Sequence, residues 1–273
     1  MSIYLLKFGG NAIRGKEDLD RLSKEIAGLI EKGAKIILVH GGGPEITAEI
    51  EKRGMTTKMV GGFRITDDAV LKVADEVLKA LNDDVVDSLK KAGVNAKGMP
   101  GYEGNVVECV KKKAVKAKDD LGNTISVDLG LVGEVDKVNV KYIKEMISKG
   151  IMPVVYPICA TAAGVKMNVN ADTVASGIAA SVNCKEMILI TDVPGILRDV
   201  KDPSSKIDHV TLKDIEDLTA SGIISGGMIP KVEACSKAVS AGVSAVRMVN
   251  GKDKNSIVSD VMNNKPHGTL ITK

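Results

Sequence analysis

Four short segments hold the residues whose types and spacing could do chemistry, and three of them could hold phosphates. Lys7-Phe8-Gly9-Gly10-Asn11 closes an apolar run that begins at Ile3. His40-Gly41-Gly42-Gly43-Pro44 stands between the β-branched run 36–39 and a helix opening at Pro44, a residue suited to a first helical turn. Three glycines in a row let backbone N–H groups converge on an anion, aided by the partial positive charge of the helix N-terminus behind them. A plain tight turn would use the same residues. The spacing is not a Walker A loop, since no Gly-Lys-Ser/Thr follows, and it is not the GxGxxG fingerprint of dinucleotide binding. Ser225-Gly226-Gly227-Met228-Ile229-Pro230-Lys231 repeats the device with a lysine on the first helical turn. A cation is unfavourable there unless an anion shares the place, so Lys231 reads as a phosphate ligand, the alternative being a solvated surface lysine. In Met167-Asn168-Val169-Asn170-Ala171-Asp172-Thr173, ahead of a small-residue helix, Asp172 is either part of the site or a residue that stabilises the helix dipole. A buried run then ends in the polar turn Asp192-Val193-Pro194-Gly195, and ligands of open α/β sheets sit at such carboxyl ends of strands.

Such segments need a scaffold that carries strand ends and helix starts to one edge, and the rest of the chain describes one. Four times an amphipathic helix ends in glycine and gives way to a β-branched run: at Gly33, Gly93, Gly150 and Gly242. Glycine at the helix C′ position enters the left-handed region without a Cβ penalty and turns the chain back toward the sheet. Leu19, Leu22, Ile26 and Leu29 give the first helix its apolar face. Helix-to-strand units in series predict an α/β fold with a mainly parallel sheet covered by helices on both faces. Between about 101 and 138 the pattern changes to short runs, 105–110, 114–117, 124–128 and 132–138, broken by Asp119-Asp120 and Leu121-Gly122-Asn123. These read as β-hairpins inserted into the scaffold. No Pro/Ser linker divides the chain, so two lobes sharing one sheet are expected, 1–163 and 164–273, changing near Ala163-Gly164.

Composition excludes several partners. Lys and Arg number 38 against 35 Asp and Glu, which leaves no global polycation for nucleic acid. With two Phe, four Tyr and no Trp, a stacking platform for single strands is equally unsupported. Cys109, Cys159, Cys184 and Cys235 form no CxxC pair and read as reduced core thiols of a cytoplasmic protein, not a disulfide frame or zinc site. Residues 3–8 are too short for a secretory h-region. The longest uncharged stretch, 150–165, contains Pro153 and Pro157 and falls short of the roughly 20 residues a membrane span needs.

Together the motifs resemble the amino-acid kinase family, most closely its acetylglutamate kinase branch. Six features stand in family order: Lys7-Phe8-Gly9-Gly10, His40-Gly41-Gly42-Gly43-Pro44, Gly62-Phe63-Arg64-Ile65-Thr66-Asp67, Asn168-Val169-Asn170-Ala171-Asp172, Thr191-Asp192-Val193-Pro194-Gly195-Ile196-Leu197 and Gly226-Gly227-Met228-Ile229-Pro230-Lys231. The resemblance implies a three-layer αβα sandwich with an N-terminal amino-acid lobe and a C-terminal ATP lobe. It implies that Lys7 and Lys231 flank a transferring phosphoryl group while Asp172 orients both ammonium groups. Gly42 and Gly43 would offer N–H groups to the phosphoryl and the attacking carboxylate, and Gly9 and Gly10 would approach the β-phosphate. Arg64 and Asn168 would hold the substrate's α-carboxylate and acylated nitrogen. Asp192, Val193, Pro194, Gly195, Ile196 and Leu197, with Ile223, Ile224 and Ser225, would line the nucleotide pocket. ATP is the implied cosubstrate, with Mg²⁺ held mainly through its phosphates and no metal site on the protein.

The reaction implied is phosphorylation of the side-chain carboxylate of N-acetyl-L-glutamate, the second step of arginine biosynthesis. A carboxylate is already ionised at neutral pH, so the nucleophile needs no general base, and the task becomes positioning and charge stabilisation. His40 is read as the anchor of the glycine loop, and His209 and His267 as surface residues. The chain departs from the branch at Met99-Pro100-Gly101-Tyr102-Glu103-Gly104, where Leu/Ile-Ser-Gly-x-Asp-Gly is usual; that loop is near the substrate end, which leaves the acyl group open. The basic run Lys111-Lys112-Lys113-Ala114-Val115-Lys116-Ala117-Lys118 is either a solvated hairpin face or a patch for an acidic partner. The second option resembles kinases whose aminoadipate or glutamate substrate rides on a small acidic carrier protein, in lysine or ornithine biosynthesis. A non-catalytic anion- or nucleotide-binding member of the fold is a further alternative. The chain opens directly on its first strand, so a homodimer without arginine feedback is expected.

Overall fold

Side-chain alternation along the central strands decides how the layers assemble. The computed structural model describes residues 2–9, 12, 13, 15–118, 124–252 and 267–273. Gly10 and residues 119–123 lie outside the described residues. The first half of the chain runs β1 (Ile3–Phe8), α1 (Gly15–Glu31), β2 (Lys35–His40), α2 (Gly43–Lys52), β3 (Met59–Val60), β4 (Phe63–Arg64), α3 (Asp68–Lys91) and β5 (Ala96–Pro100). Then come β6 (Val107–Lys111), β7 (Val115–Lys118), β8 (Thr124–Val127), β9 (Val132–Val138), α4 (Val140–Ser148), β10 (Met152–Tyr156), β11 (Ile158–Ala160) and β12 (Lys166–Val169). The rest is α5 (Ala171–Ser181), β13 (Glu186–Thr191), β14 (His209–Thr211), α6 (Leu212–Ala220), α7 (Met228–Ser240), β15 (Val246–Asn250) and β16 (Thr269–Thr272).

Eight strands form one sheet in the order β14-β16-β15-β13-β1-β2-β10-β5, parallel throughout except where β15 meets β16. Parallel strands are buried on both faces, and here successive residues serve different cores. Leu5, Ile37, Val39, Val155 and Leu189 join a cluster with Val174 and Ile178 of α5, Val232 and Cys235 of α7, and Ile143 of α4. Their neighbours Leu6, Ile36, Leu38, Val154 and Ile188 pack instead with Leu22, Ile26 and Leu29 of α1 and Val85 and Leu89 of α3. The result is the expected αβα sandwich.

The four helix-ending glycines behave alike. Gly33, Gly93, Gly150 and Gly242 have φ of 89°, 86°, 71° and 104°. Each closes its helix with the same pair of bonds, for example Gly93 N–H to Lys90 O and Val94 N–H to Leu89 O, a Schellman ending. A further copy after α5 uses Asn183, at φ 55°, in place of glycine.

Residues 107–138 form nested hairpins, β6 antiparallel to β9 and β7 antiparallel to β8. β6 and β9 also close a small four-stranded sheet with β11 and β12, which puts Cys109 and Cys159 in one core. Ala163 and Gly164 sit in the turn between β11 and β12, which pair with each other. The chain therefore crosses to the other half of the large sheet only after β12, a few residues later than Ala163-Gly164. No described helix is long and apolar enough to cross a membrane, and all four cysteines are free and buried.

Candidate active site

Three chain ends converge beside the middle of the sheet: the end of β1, the end of β2 and the start of α5. An ideal Cβ on Gly9 would stand 3.4 Å from Lys7 Nζ and 3.5 Å from Gly41 Cα, and one on Gly41 would stand 3.6 Å from Ala171 Cβ. Strand alternation sends Lys7 to the α5 face, since its neighbours Tyr4, Leu6 and Phe8 occupy the α1 face. Asn170 caps α5, its side-chain oxygen accepting from Asp172 N–H at 2.8 Å and Thr173 N–H at 3.2 Å. That cap places Asp172 in the first turn, where Lys7 Nζ lies 2.7 Å from its Oδ1. Beyond this ion pair, buried Oδ1 receives no aligned hydrogen bond among the described residues.

Two clefts of about 280 Å³ each meet here. One is lined by Gly42, Gly43, Met59, Phe63, Arg64 and Asn168, the other by Asp192, Pro230, Lys231 and Ala234; Lys7, Gly9, Gly41 or Ala12, and Asp172 border the junction. A larger cavity of about 410 Å³ opens between α1 and α3 and touches Gly9 and Gly41 but neither lysine.

In the first cleft, Arg64 is 8% exposed. Its Nη2 donates to Gly43 O at 3.1 Å and Thr47 Oγ1 at 2.7 Å, while Nη1 is buried without a partner. Burial pulls the guanidinium's pKa down, and an unpaired buried donor on a cation is costly unless an anion arrives. Asn168 stands on β12 between the core residues Met167 and Val169 and donates to Thr66 Oγ1 at 3.4 Å. Thr47, one helical turn after Gly43, holds both Arg64 and, at 3.0 Å, Gly43 O. The sequence reading missed it, although its spacing of four from Gly43 was visible.

The second cleft departs from one expectation. Among the described residues Asp172 pairs with Lys7, while Lys231 Nζ lies 2.9 Å from Asp192 Oδ1. The hydrogen bond from Lys231 holds the Asp192 carboxyl below the usual carboxylate range. The anion that a cation near a helix N-terminus requires is thus supplied by the protein itself. Of the other expected nucleotide residues, Ile196 is buried in the core, its N–H bound to Thr269 Oγ1 at 2.8 Å. Val193 packs on the same core, and Leu197 bridges to Lys206. Gly195 adopts φ 133°, where a Cβ would meet Thr269 Oγ1 at 2.5 Å. Ile224 lines a groove between α6 and α7 that shares no lining residue with either cleft, with Ile223 and Ser225 beside it in the loop before α7.

His40 is buried against Phe8 and Tyr156, with ring centroids 6.0 Å and 6.3 Å away, and burial pushes its pKa down to about 4. Its Nδ1 reaches Gly41 O at 2.9 Å and its Nε2 reaches Asn82 Nδ2 at 2.9 Å. His209 is exposed and bonds Thr272 Oγ1. In the basic run, Lys111 pairs with Asp128, and Lys112 pairs with Glu134 while lying 4.5 Å from the Phe63 ring centre.

The profile of the Amino acid kinase family matches residues 2–250. The acetylglutamate kinase of Methanosarcina mazei is 40% identical over 271 residues, covering 99% of this chain and 92% of that one. The acetylglutamate kinase of Methanococcus maripaludis is 38% identical over 271 residues, with the same coverages of 99% and 92%. Among solved structures, an N-acetylglutamate synthase from Neisseria gonorrhoeae, complexed with coenzyme A and N-acetyl-glutamate, superposes with a TM-score of 0.81 at 18% identity. The match covers 100% of this chain and 59% of that longer one, so it speaks for the fold alone. With its profile matched over most of its length and relatives this similar across nearly all of it, the chain belongs to the amino acid kinase family.

Proposed function

We propose that this protein is an ATP-dependent kinase that phosphorylates the side-chain carboxylate of N-acetyl-L-glutamate. The observation that carries this reading is the meeting of two clefts at Lys7 and Asp172, one presenting Arg64 and Asn168, the other Lys231. Relatives 38–40% identical over nearly the whole chain bear the name acetylglutamate kinase, which supports the substrate.

The roles are those the family resemblance implies, and the geometry of the two clefts supports them. Arg64 Nη1, buried without a partner, would meet the α-carboxylate, and Asn168, in the same cleft, would meet the acylated nitrogen. A γ-carboxylate oxygen then reaches the junction, forming an O–P bond while the bond to the β–γ bridging oxygen breaks. MgATP supplies the phosphoryl group and the metal's charge. In this reading Mg²⁺ is carried mainly by the phosphates of ATP, as the family resemblance implies. Lys7 neutralises charge from the β1 side, held by Asp172. Lys231 leaves Asp192 to do so from α7. Gly42 and Gly43 contribute backbone N–H groups at the start of α2, where the helix dipole favours the anion. Residues 1–163 are then mainly the amino-acid side and 164–273 the nucleotide side. The reading extends to a cytoplasmic homodimer, supported by four reduced buried thiols and by β5, an edge strand of the large sheet. A carrier-bound substrate has no comparable support, since Lys111 and Lys112 are engaged within the chain.

Incubation with MgATP and hydroxylamine, which traps acyl phosphates, tests the proposal against N-acetylglutamate, glutamate, aspartate and N-acetyl-aminoadipate. Hydroxamate should form chiefly from N-acetylglutamate. None from any of them would sink the kinase reading, and a preference for the longer acid would move the substrate to aminoadipate.

A further inference from the structure

The apolar stripe of α3 runs Leu78, Val85, Val86 and Leu89, with Asn82 set into it at helical spacing. Asn82 is 2% exposed and His40 1%, so each polar atom there needs a reason. The Asn82 amide nitrogen carries two hydrogens. One goes to His40 Nε2 at 2.9 Å and the other to Val154 O at 3.1 Å. With the amide reversed, its oxygen would face the Val154 carbonyl, so the two acceptors fix its orientation. The register of the sheet makes room for it: Gly98 pairs with Val154, and a Cβ at Gly98 would stand 1.9 Å from Asn82 Oδ1.

Because His40 Nε2 accepts from Asn82, its hydrogen resides on Nδ1, which donates to Gly41 O at 2.9 Å. The Gly41 carbonyl and the Gly42 N–H belong to one planar trans peptide and point in opposite directions. Pinning the carbonyl into the core therefore aims the Gly42 N–H outward, and Gly42 lines the first cleft. Leu81 and Leu78 back the same loop, 2.7 Å and 3.0 Å from where a Gly42 Cβ would sit. From this geometry we infer that Asn82, acting through His40, is a positioning residue that sets the aim of the Gly42 N–H on the transferring phosphoryl group. The inference rests on the function proposed above. It adds to the machinery a residue that lines neither cleft and gives helix α3 a task besides packing.

Asn82→Leu, His40→Leu and His40→Asn test it in the hydroxamate assay; the asparagine amide can reoccupy the place of Nδ1 and donate to Gly41 O. Asn82→Leu and His40→Leu should each lower kcat by about 10²-fold, the scale of a displaced oxyanion donor, with both KM values moving less than about threefold. The double variant should be no worse than either single one. His40→Asn should recover at least roughly tenfold of the lost kcat. Rises in KM at unchanged kcat, or a folded His40→Asn variant as slow as His40→Leu, would overturn the relay. Nitrogen-15 NMR of the wild type gives a reading independent of activity. The buried histidine should show the Nδ1–H tautomer, and the Nε2–H tautomer would refute the relay even if every leucine variant fails to fold. If the wild type makes no hydroxamate, the kinase reading fails while the tautomer still judges the hydrogen-bond chain.

Discussion

Replacing Arg64 with lysine is the sharpest probe of the amino-acid cleft. The guanidinium does two jobs at once: Nη2 is bound to Gly43 O and Thr47 Oγ1, and Nη1 is buried with nothing to bind. A lysine ammonium is a single point charge on a flexible stem, so it can satisfy Gly43 and Thr47 or meet an incoming carboxylate, not both. The interaction lost is one charge-assisted hydrogen bond, about 1.5–3 kcal/mol. That corresponds to an increase of roughly 10- to 150-fold in KM for N-acetylglutamate, with KM for ATP nearly unchanged because Arg64 does not line the second cleft. Initial rates of ADP release, varying each substrate at saturating levels of the other, measure both constants. The control is 4-acetamidobutanoate, which is N-acetylglutamate without its α-carboxylate. On that analogue wild type and Arg64→Lys should differ little in kcat/KM, since the group Arg64 serves is missing. An equal loss on both substrates would refute the assignment of Arg64 to the α-carboxylate, and a matching rise in KM for ATP would refute its confinement to one cleft.

Lys231→Ala should lower kcat by about 10³-fold with a much smaller change in ATP affinity measured by calorimetry, and equal losses in both would contradict a transition-state role. Gly98→Ala forces a methyl group to within 1.9 Å of the buried Asn82 Oδ1 and 3.0 Å of Val86 Cγ2. Overpacking plus lost hydrogen bonds should cost roughly 2–6 kcal/mol and lower Tm by about 5–15 °C. Gly28→Ala, inside α1 where a Cβ meets nothing within 4 Å, is the comparison and should stabilise by about 0.5–1 kcal/mol; a Gly98→Ala protein melting alongside it would disprove the contact. His40, depressed by burial to about 4 from an ordinary 6.5, binds its proton more readily unfolded than folded. Stability should be at its full value above pH 6.5 and fall by about 3 kcal/mol as pH drops toward 4. Urea titrations should show the His40 contribution vanish in His40→Asn, and an unchanged slope would mean that His40 titrates normally.

Much of the fold was legible in the sequence because the signals are local. A glycine at a helix end needs φ above zero wherever the helix lies, so Gly33, Gly93, Gly150 and Gly242 marked four helix-to-strand reversals, and reversals in series make a parallel sheet. Asn183 escaped because asparagine reaches the same conformation less predictably. The glycine and lysine segments at strand ends were equally readable, since a parallel α/β sheet delivers such ends to one edge. Which charge meets which was decided only in three dimensions. The resemblance joined Lys231 to Asp172, and its pairing with Asp192 instead depends on how α7 docks against the end of β13. Asn82 went unread in the sequence, and only packing sets it beside His40 and Val154, 42 and 72 residues away. Backbone conformation is governed by a residue and its near neighbours, so sequence determines it. The partner of a buried polar atom is chosen by whichever distant group the packed core brings within hydrogen-bonding distance, and only the tertiary structure decides that.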